Sequence, residues 1–147
     1  MTTGTNELLH EAIRSVGLRA TPARVATLRL LREANSPVTH SEVAAGLSTF
    51  GIDKATVFRN LNDLTEAGLL RRTELGDHVY RFEAVLAGED PAVPHPHFMC
   101  IVCGSISCMG DSALTLASLR KNVKVGEIQE ILLRGRCRDC IASNKRG

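Results

Sequence analysis

The chain has 147 residues, 44% of them hydrophobic and 23% charged, with four Phe, one Tyr and no Trp, which is typical of a soluble globular protein with one domain or two small ones. The net charge is +2, and residues 1–83 hold ten basic and ten acidic side chains, so charge alone does not indicate a nucleic-acid partner. No apolar run approaches the roughly 18 residues that span a bilayer, and the polar start has no signal-peptide pattern, so we expect a cytoplasmic protein without a membrane partner.

The first part of the chain, up to Gly68, has the three- and four-residue spacing of apolar side chains that predicts helices. A first helix ends at Gly17, and Thr21 with Pro22 predicts the N-cap and first position of a second. Thr-His-Ser-Glu at residues 39–42 predicts a capping box for a third helix. A fourth helix buries one apolar stripe and leaves its polar residues on other faces: Val57, Leu61 and Leu64 inside, and Lys54, Thr56, Arg59, Asn60 and Asp63 outside.

After Gly68 the hydrophobic period changes to two, which predicts a β-hairpin. Its strands are expected at residues 69–74 and 78–83, with His78, Tyr80 and Phe82 on one face of the second strand. Helices followed by a hairpin predict a winged-helix DNA-binding domain over residues 1–83, whose fourth helix would enter the major groove. A Pro-rich hinge follows at residues 84–96. Residues 97–147 predict a small α+β domain with a helix at 112–122 and a strand at 128–133, so the fold class is α+β.

Two Cys-x-x-Cys pairs separated by 33 residues are the strongest chemical signal of the sequence. Cys100 with Cys103 and Cys137 with Cys140 would supply the four thiolates of a tetrahedral zinc site, and Gly104 suits the tight turn after the first pair. A reducing cytoplasm and the odd total of five cysteines disfavour a disulfide framework. Redox-active pairs, an iron-sulfur cluster and plain reduced thiols remain alternatives, although iron-sulfur sites usually have other spacings. We predict one structural zinc ion per chain.

Several motifs together resemble the Fur family of metal-dependent bacterial transcription repressors, across residues 17–140. They are Gly-Leu-Arg-Ala-Thr-Pro-Ala-Arg (17–24), Lys-Ala-Thr-Val-Phe-Arg-Asn-Leu (54–61), Ala-Gly-Leu-Leu (67–70), Tyr-Arg-Phe-Glu (80–83), His-Pro-His-Phe-Met-Cys-Ile-Val-Cys-Gly (95–104) and Gly-Arg-Cys-Arg-Asp-Cys (135–140). The resemblance implies a homodimer that binds a double-stranded, pseudo-palindromic DNA operator. It further implies an N-terminal winged helix, a C-terminal dimerisation and metal-binding domain, and repression when a regulatory metal is bound.

The resemblance also implies which residues contact DNA. Thr56, Phe58 and Arg59 would lie on the recognition helix, with Arg59 reaching a base edge or a phosphate. Phe58 replaces the Tyr that is usual in the family, and its ring can still contact a thymine methyl. Arg19 occupies the place of a basic residue that reaches the minor groove in relatives. For each Arg, a solvated surface charge is the alternative.

The regulatory metal site is implied at Glu83, His95, His97 and Cys108. The alternation of His95 and His97 places both imidazoles on one side of an extended segment. Cys108 stands where the family usually has a carboxylate, and Pro37 stands where many iron and peroxide sensors have an additional His. Two imidazoles, one carboxylate and one thiolate favour tetrahedral zinc over ferrous iron or manganese. A second accessory site is not expected, since its positions hold Pro94, Pro96, Thr115 and Gln129.

Other interpretations stay open at this point. Cys108 would be a small buried hydrophobe if it binds no metal, or the oxidised group of an iron- or peroxide-responsive regulator of the same family. His40, Asp77 and His78 are further candidates for metal or phosphate contacts. A zinc-dependent enzyme is a distant alternative, because the sequence has no Gly-rich phosphate loop and no evident acid and base pair, and no small-molecule substrate is expected.

Overall fold

The computed structural model describes residues 2–34, 36–89, 95–109, 121 and 124–145. The chain divides into two compact units, Met1–Pro91 and Ala92–Gly147, each described here by itself. The helix predicted at residues 112–122 lies outside the described residues, apart from Lys121. Within the described part of the chain, no helix is long and apolar enough to cross a bilayer.

The N-terminal unit contains four helices: α1 (Thr2–Ser15), α2 (Pro22–Glu33), α3 (His40–Leu47) and α4 (Lys54–Glu66). A short 3-10 turn, Ser48–Phe50, follows α3. Each helix buries the apolar stripe that its sequence period predicts, and these stripes meet in one core. That core includes Leu9, Ile13, Val25, Leu28, Leu31, Val43, Leu47, Val57, Leu61, Leu64, Leu70 and Phe82.

The starts of the helices are fixed by side-chain caps. Thr21 Oγ1 accepts from Arg24 N at 3.3 Å at the start of α2. The capping box of α3 is complete, because Glu42 N donates to Thr39 Oγ1 at 3.2 Å and Thr39 N donates to Glu42 Oε2 at 2.7 Å. Asp53, which the sequence analysis did not single out, caps α4 by accepting from the Thr56 N–H at 2.8 Å.

A three-stranded antiparallel sheet completes the N-terminal unit. Its strands are β1 (Val38–Thr39), β2 (Leu70–Glu74) and β3 (Tyr80–Ala84), in the order β1-β3-β2. β1 was not predicted, since two residues carry no detectable alternation. Four helices and a hairpin on a small sheet confirm the winged-helix prediction for this part of the chain.

The prediction that His78 shares a strand face with Tyr80 and Phe82 is wrong. His78 lies in the turn between β2 and β3 with φ at 59°, a left-handed conformation outside the strand. The Glu74 carboxylate accepts from Gly76 N at 2.7 Å and from His78 N at 2.8 Å, so the turn extends beyond the predicted residues 75–77. Asn60 was predicted on an outer face of α4 and is instead buried, 6% exposed.

The C-terminal unit contains a second three-stranded sheet, made of β4 (Pro96–Cys100), β5 (Ile106–Cys108) and β6 (Ile131–Gly135) in the order β5-β4-β6. β4 pairs antiparallel with β5 and parallel with β6. A one-and-a-half-turn helix, α5 (Arg138–Ala142), follows β6 and was not predicted. β6 begins three residues later than predicted, because its pairing with β4 places Ile131 opposite Pro96 and Gly135 opposite Cys100.

Candidate metal centres and DNA-binding surface

The four cysteines of the two Cys-x-x-Cys pairs converge at one end of the C-terminal sheet. Because β4 and β6 are parallel neighbours, the turns that follow them leave the sheet at the same edge. Cys100 ends β4 and Cys103 lies in the turn after it, while Cys137 and Cys140 follow β6 at the start of α5. The four sulfur atoms all lie within 4.8 Å of one another. We call these residues the cysteine cluster.

The geometry of the cysteine cluster fits a tetrahedral zinc ion. Cys103 Sγ lies 3.8 Å from Cys137 Sγ, and zinc–sulfur bonds of about 2.3 Å give tetrahedral S···S edges of about 3.8 Å. The φ of Gly104 is 73°, so the turn after the first pair adopts the left-handed conformation that glycine tolerates best. The donor set, spacing and edge length therefore support the predicted structural zinc site.

Backbone N–H groups prepare one sulfur for metal binding. Val102 N donates to Cys100 Sγ at 3.4 Å, and Cys137 N donates to the same sulfur at 3.3 Å. Hydrogen bonds from the Cys103 and Cys137 amides lower the pKa of Cys100 to about 6. Burial, together with the neighbouring Cys137, Cys103 and Cys100 sulfurs, raises the pKa of Cys140 to about 12. A cation that binds all four sulfurs would allow them to be thiolates together.

A second group of metal-ligating side chains lies on the same sheet. His97 on β4 is directly opposite Cys108 on β5, and His95 precedes β4. Cys108 Sγ lies 3.2 Å from His95 Nε2, and the centroids of the two imidazole rings are 4.9 Å apart. We call His95, His97 and Cys108 the mixed cluster. Its ligand atoms lie within 4.8 Å of one another.

The mixed cluster also has dimensions that suit a tetrahedral ion. Zinc bonds of about 2.0 Å to nitrogen and 2.3 Å to sulfur give tetrahedral N···S edges of about 3.5 Å, close to the observed separation. His97 is 2% exposed and Cys108 is half-buried, so a bound ion would be largely shielded from water. The structure thus brings together three of the four residues predicted for the regulatory site.

Glu83, the fourth predicted ligand, belongs to β3 of the N-terminal unit. Its side chain is buried and accepts from Arg71 Nη1 at 3.4 Å, and Arg71 is its direct cross-strand neighbour on β2. Arg71 was not predicted as a partner of Glu83, although an Arg at the paired position of an antiparallel hairpin is a detectable signal. The participation of Glu83 in metal binding stays a prediction.

The predicted DNA-contacting residues of α4 lie on its accessible surface. Phe58 is 56% exposed, Arg59 is exposed and Thr56 is half-buried. Arg59 Nη2 donates to Thr56 Oγ1 at 3.4 Å, and Thr56 Oγ1 donates to Asp53 Oδ2 at 3.0 Å. These contacts connect Arg59 to the N-cap of its own helix.

Arg19 is exposed just before α2, in a segment that is held against α4. The Arg19 carbonyl accepts from Thr21 N and from Arg24 Nη1, each at 3.0 Å. Arg24 Nη2 also donates to Asp63 Oδ2 on α4 at 2.7 Å. Arg24 therefore fixes the position of the Arg19 backbone relative to α4, a role that the sequence analysis did not identify.

Of the other candidates, Asp77 and His78 are in the exposed turn of the hairpin. Hydrogen bonding to Arg81 and Val79 lowers the pKa of Asp77, and its carboxylate forms an ion pair with Arg81 at 2.7 Å. Within the part of the chain that the structure describes, the cysteine cluster and the mixed cluster are the groups of three or more candidate ligands that lie inside one unit. They include neither Asp77, His78 nor His40.

A winged-helix unit and a small α+β unit with two clusters of metal-ligating side chains together define a metal-binding transcription factor. Comparison with known proteins identifies its class more closely. The model of the ferric uptake regulator family matches residues 15–130. The chain belongs to this family of metal-responsive, DNA-binding transcriptional regulators.

Individual relatives span several kinds of regulator. The chain is 29% identical to the transcriptional regulator FurA of Mycobacterium tuberculosis over 140 residues, covering 91% of this chain and 90% of that protein. It is 31% identical to the peroxide-responsive repressor PerR of Staphylococcus aureus over 97 residues, covering 65% and 62%. These relatives are regulators and not enzymes, so the enzyme alternative is rejected.

Solved structures share the fold. The ferric uptake regulator of Vibrio cholerae has a TM-score of 0.67 at 24% identity, covering 87% of this chain and 98% of that chain. A zinc uptake regulator complexed with zinc and DNA has a TM-score of 0.65 at 21% identity, covering 98% and 99%. Neighbours with iron, zinc and peroxide functions in their names do not identify the signal to which this chain responds.

Proposed function

We propose that this chain is a cytoplasmic, zinc-responsive transcriptional repressor that binds a pseudo-palindromic operator as a homodimer. The observation that carries the zinc assignment is the placement of Cys108 Sγ beside His95 and His97. Thiolate is a softer ligand than carboxylate, and a thiolate with two imidazoles suits tetrahedral zinc better than the octahedral, oxygen-rich sites of manganese. Glu83 would supply the fourth ligand, so one regulatory ion is expected per chain in addition to the zinc of the cysteine cluster.

Regulation would follow from linkage between metal binding and domain arrangement. A ligand set with Glu83 on the N-terminal unit and His95, His97 and Cys108 on the C-terminal unit would be complete in only some arrangements of the two units. Zinc would favour those arrangements by its differential affinity for them, and the affinity for the operator would rise by the same coupling free energy. On metal binding, the buried carboxylate of Glu83 would either leave Arg71 for the ion or bind both Arg71 and the ion.

The operator would be read by α4 of each protomer, with Arg19 in the adjacent minor groove. Two-fold symmetry of the dimer would be mirrored in two half-sites. Replacing Arg59 with Ala should weaken operator binding about 10- to 100-fold, the cost of one lost base or phosphate pair. Arg14→Ala, at an exposed Arg of α1, is the matched control. Unchanged affinity of the Arg59 variant would contradict the assignment of α4 as the reading helix.

The zinc assignment is tested by operator binding of protein that retains only its cysteine-cluster zinc, titrated separately with zinc, ferrous iron and manganese. We expect zinc to raise the affinity at the lowest free concentration. In Cys108→Asp, which restores the usual family carboxylate, the preference should shift toward iron and manganese, while Cys108→Ser should lose the zinc response. An equal response of the unaltered protein to all three metals would refute the argument from Cys108.

A peroxide-responsive regulator is the second candidate, favoured by the 3.2 Å contact between Cys108 Sγ and His95 Nε2. A thiolate beside an imidazole can attack a peroxide oxygen, giving sulfenic acid and water, and the oxidised sulfur would no longer be a good metal ligand. In this case hydrogen peroxide should abolish operator binding, a thiol reductant should restore it, and Cys108→Ser should be insensitive to peroxide. Insensitivity of the unaltered protein would exclude this candidate.

A further inference from the structure

His40, the first residue of α3, contacts the first turn of α4 in two ways. Its Nε2–H donates to the backbone carbonyl of Lys54 at 3.1 Å. Its ring also meets the Phe58 ring edge to face, with centroids 5.8 Å apart and an interplanar angle of 89°. One imidazole therefore touches both the backbone at the start of α4 and an aromatic side chain that we assign to DNA reading.

The two contacts act on the same turn of the helix. In an α-helix the carbonyl of residue i accepts from the N–H of residue i+4, so the Lys54 carbonyl is the backbone partner of Phe58. Within this unit, His40 therefore contacts Phe58 in two ways. It binds the Lys54 carbonyl that accepts from the Phe58 backbone N–H, and it packs against the Phe58 ring. The edge-to-face arrangement is a favoured aromatic geometry that selects one orientation of the partner ring.

Orientation matters for Phe58 because its side chain is 56% exposed and is not fixed by burial. An exposed aromatic side chain ordinarily samples several χ1 rotamers, and a ring that reads a thymine methyl must be in one of them when DNA arrives. A neighbour that selects this rotamer in the free protein reduces the ordering cost of binding. His40 is the neighbour that has the required contact.

We propose that His40 is a positioning residue that holds the Phe58 ring for recognition of a thymine methyl group. This inference rests on the proposed DNA-binding function and adds to it a determinant of base preference outside the recognition helix. It also gives a role to His40 that differs from metal binding, since His40 is in neither group of candidate ligands among the described residues.

The test uses the zinc-loaded full chain and an operator selected by it from a random duplex pool. Each thymine of the operator is replaced in turn by deoxyuridine, which removes only the methyl group. For the unaltered protein we expect one thymine per half-site whose replacement weakens binding roughly 3- to 10-fold. In Phe58→Ala this penalty should disappear, which identifies the methyl that Phe58 contacts.

In His40→Ala the penalty for replacing the same thymine should fall below about twofold. Binding to the operator that keeps this thymine should weaken roughly 3- to 10-fold, the penalty that the unaltered protein shows. His40→Phe keeps a ring beside Phe58 and should restore most of the penalty, whereas His40→Gln keeps a donor for the Lys54 carbonyl and should not. His10→Ala, at a His on α1, is the matched control and should leave the penalty unchanged. In the Phe58→Ala background, His40→Ala should not change the ratio of the affinities for the thymine and deoxyuridine operators.

A measurement without DNA separates this inference from the proposed function. The χ1 of Phe58, followed by NMR scalar couplings in the free chain, should correspond to one rotamer in the unaltered protein and His40→Phe, and to averaging in His40→Ala. The inference is overturned if His40→Ala weakens all operators equally and keeps the methyl penalty, since that is the result of a merely structural role. It is overturned as well if Phe58 keeps one rotamer in His40→Ala. If the unaltered chain selects no operator at all, the proposed function and thymine recognition by Phe58 fail, whereas the rotamer measurement still decides whether His40 positions the ring.

Discussion

At the scale of single residues, the cysteine cluster shows how the local surroundings give chemically identical thiols different pKa values. Amide hydrogen bonds lower the pKa of Cys100 to about 6, and burial raises that of Cys140 to about 12. The first sulfur is therefore prepared as a thiolate at neutral pH, while the second carries a proton until a cation replaces it. Binding of zinc must release protons from this cluster.

Zinc affinity is accordingly expected to depend on pH. The folded-state pKa of Cys100 lies below its ordinary value of 9.0, so its thiolate is present above about pH 6 and is lost as the pH falls through that value. Cys140 is protonated without zinc throughout this range, so it contributes a constant proton release. The apparent zinc affinity should fall with acidification and fall more steeply below about pH 6, as measured by competition with a chelator at each pH. An affinity that is independent of pH would contradict this account.

Arg71 and Glu83 form an ion pair whose energetic importance depends on its burial. Their side chains are 9% and 10% exposed, so neither charge is well solvated. Breaking a buried pair by removing one partner leaves the other charge uncompensated.

Arg71→Met should therefore lower the free energy of unfolding by about 3 kcal/mol, measured by urea unfolding of protein that retains only its cysteine-cluster zinc, since a regulatory ion would itself compensate Glu83. The control is Arg72→Met at the next position, whose guanidinium lies over the exposed Tyr80 ring at 4.6 Å. Loss of this cation–π contact should cost about 0.5 kcal/mol. Equal effects of the two substitutions would show that the Arg71–Glu83 pair is not a buried charge pair in solution.

At the scale of elements, the helices of the N-terminal unit begin where short polar motifs supply acceptors for their free N–H groups. Thr21, Thr39 and Asp53 cap α2, α3 and α4 in the same way. The cap of α3 matters for the whole unit because β1 ends at Thr39 and α3 begins at His40, so one residue joins sheet and helix.

Thr39→Ala removes the hydroxyl that accepts from Glu42 N and should lower the free energy of unfolding by about 1 kcal/mol. Ser41→Ala, an exposed position in the first turn of the same helix, should change it by less than about 0.5 kcal/mol. Urea unfolding followed by circular dichroism would measure both. A neutral Thr39 substitution would mean that water replaces the cap without cost.

At the scale of the whole molecule, each of the two units is stabilised internally by different interactions. The N-terminal unit has a continuous apolar core of leucines, valines and isoleucines. Among the described residues of the C-terminal unit, the buried hydrophobic side chains are few, namely Cys100, Ile131 and Cys140, and two of them are predicted zinc ligands. Zinc bound by these cysteines would therefore stabilise the described part of the unit directly.

Cys137→Ser should therefore abolish zinc retention by the cysteine cluster and unfold the C-terminal unit, while the helices α1–α4 remain folded. Zinc content and backbone amide NMR signals of each unit measure the two effects. Cys108→Ser, which leaves the cysteine cluster intact, should keep both the zinc and the fold. Complete folding of both units after removal of all metal would contradict the proposed structural role of zinc.

The sequence by itself determined the four helices of the N-terminal unit, the starts of α2 and α3, the hairpin and the cysteine cluster, because caps, apolar periods and Cys-x-x-Cys spacings are local signals. It did not determine β1, the placement of His78 or the start of β6. These depend on pairing with β3, on the Glu74 carboxylate in the turn and on the register with β4. Only the tertiary structure placed His40 beside Phe58, because the two residues belong to different helices whose approach is fixed by packing. It also gave the distance between Cys108 and His95, which the resemblance had placed in one site.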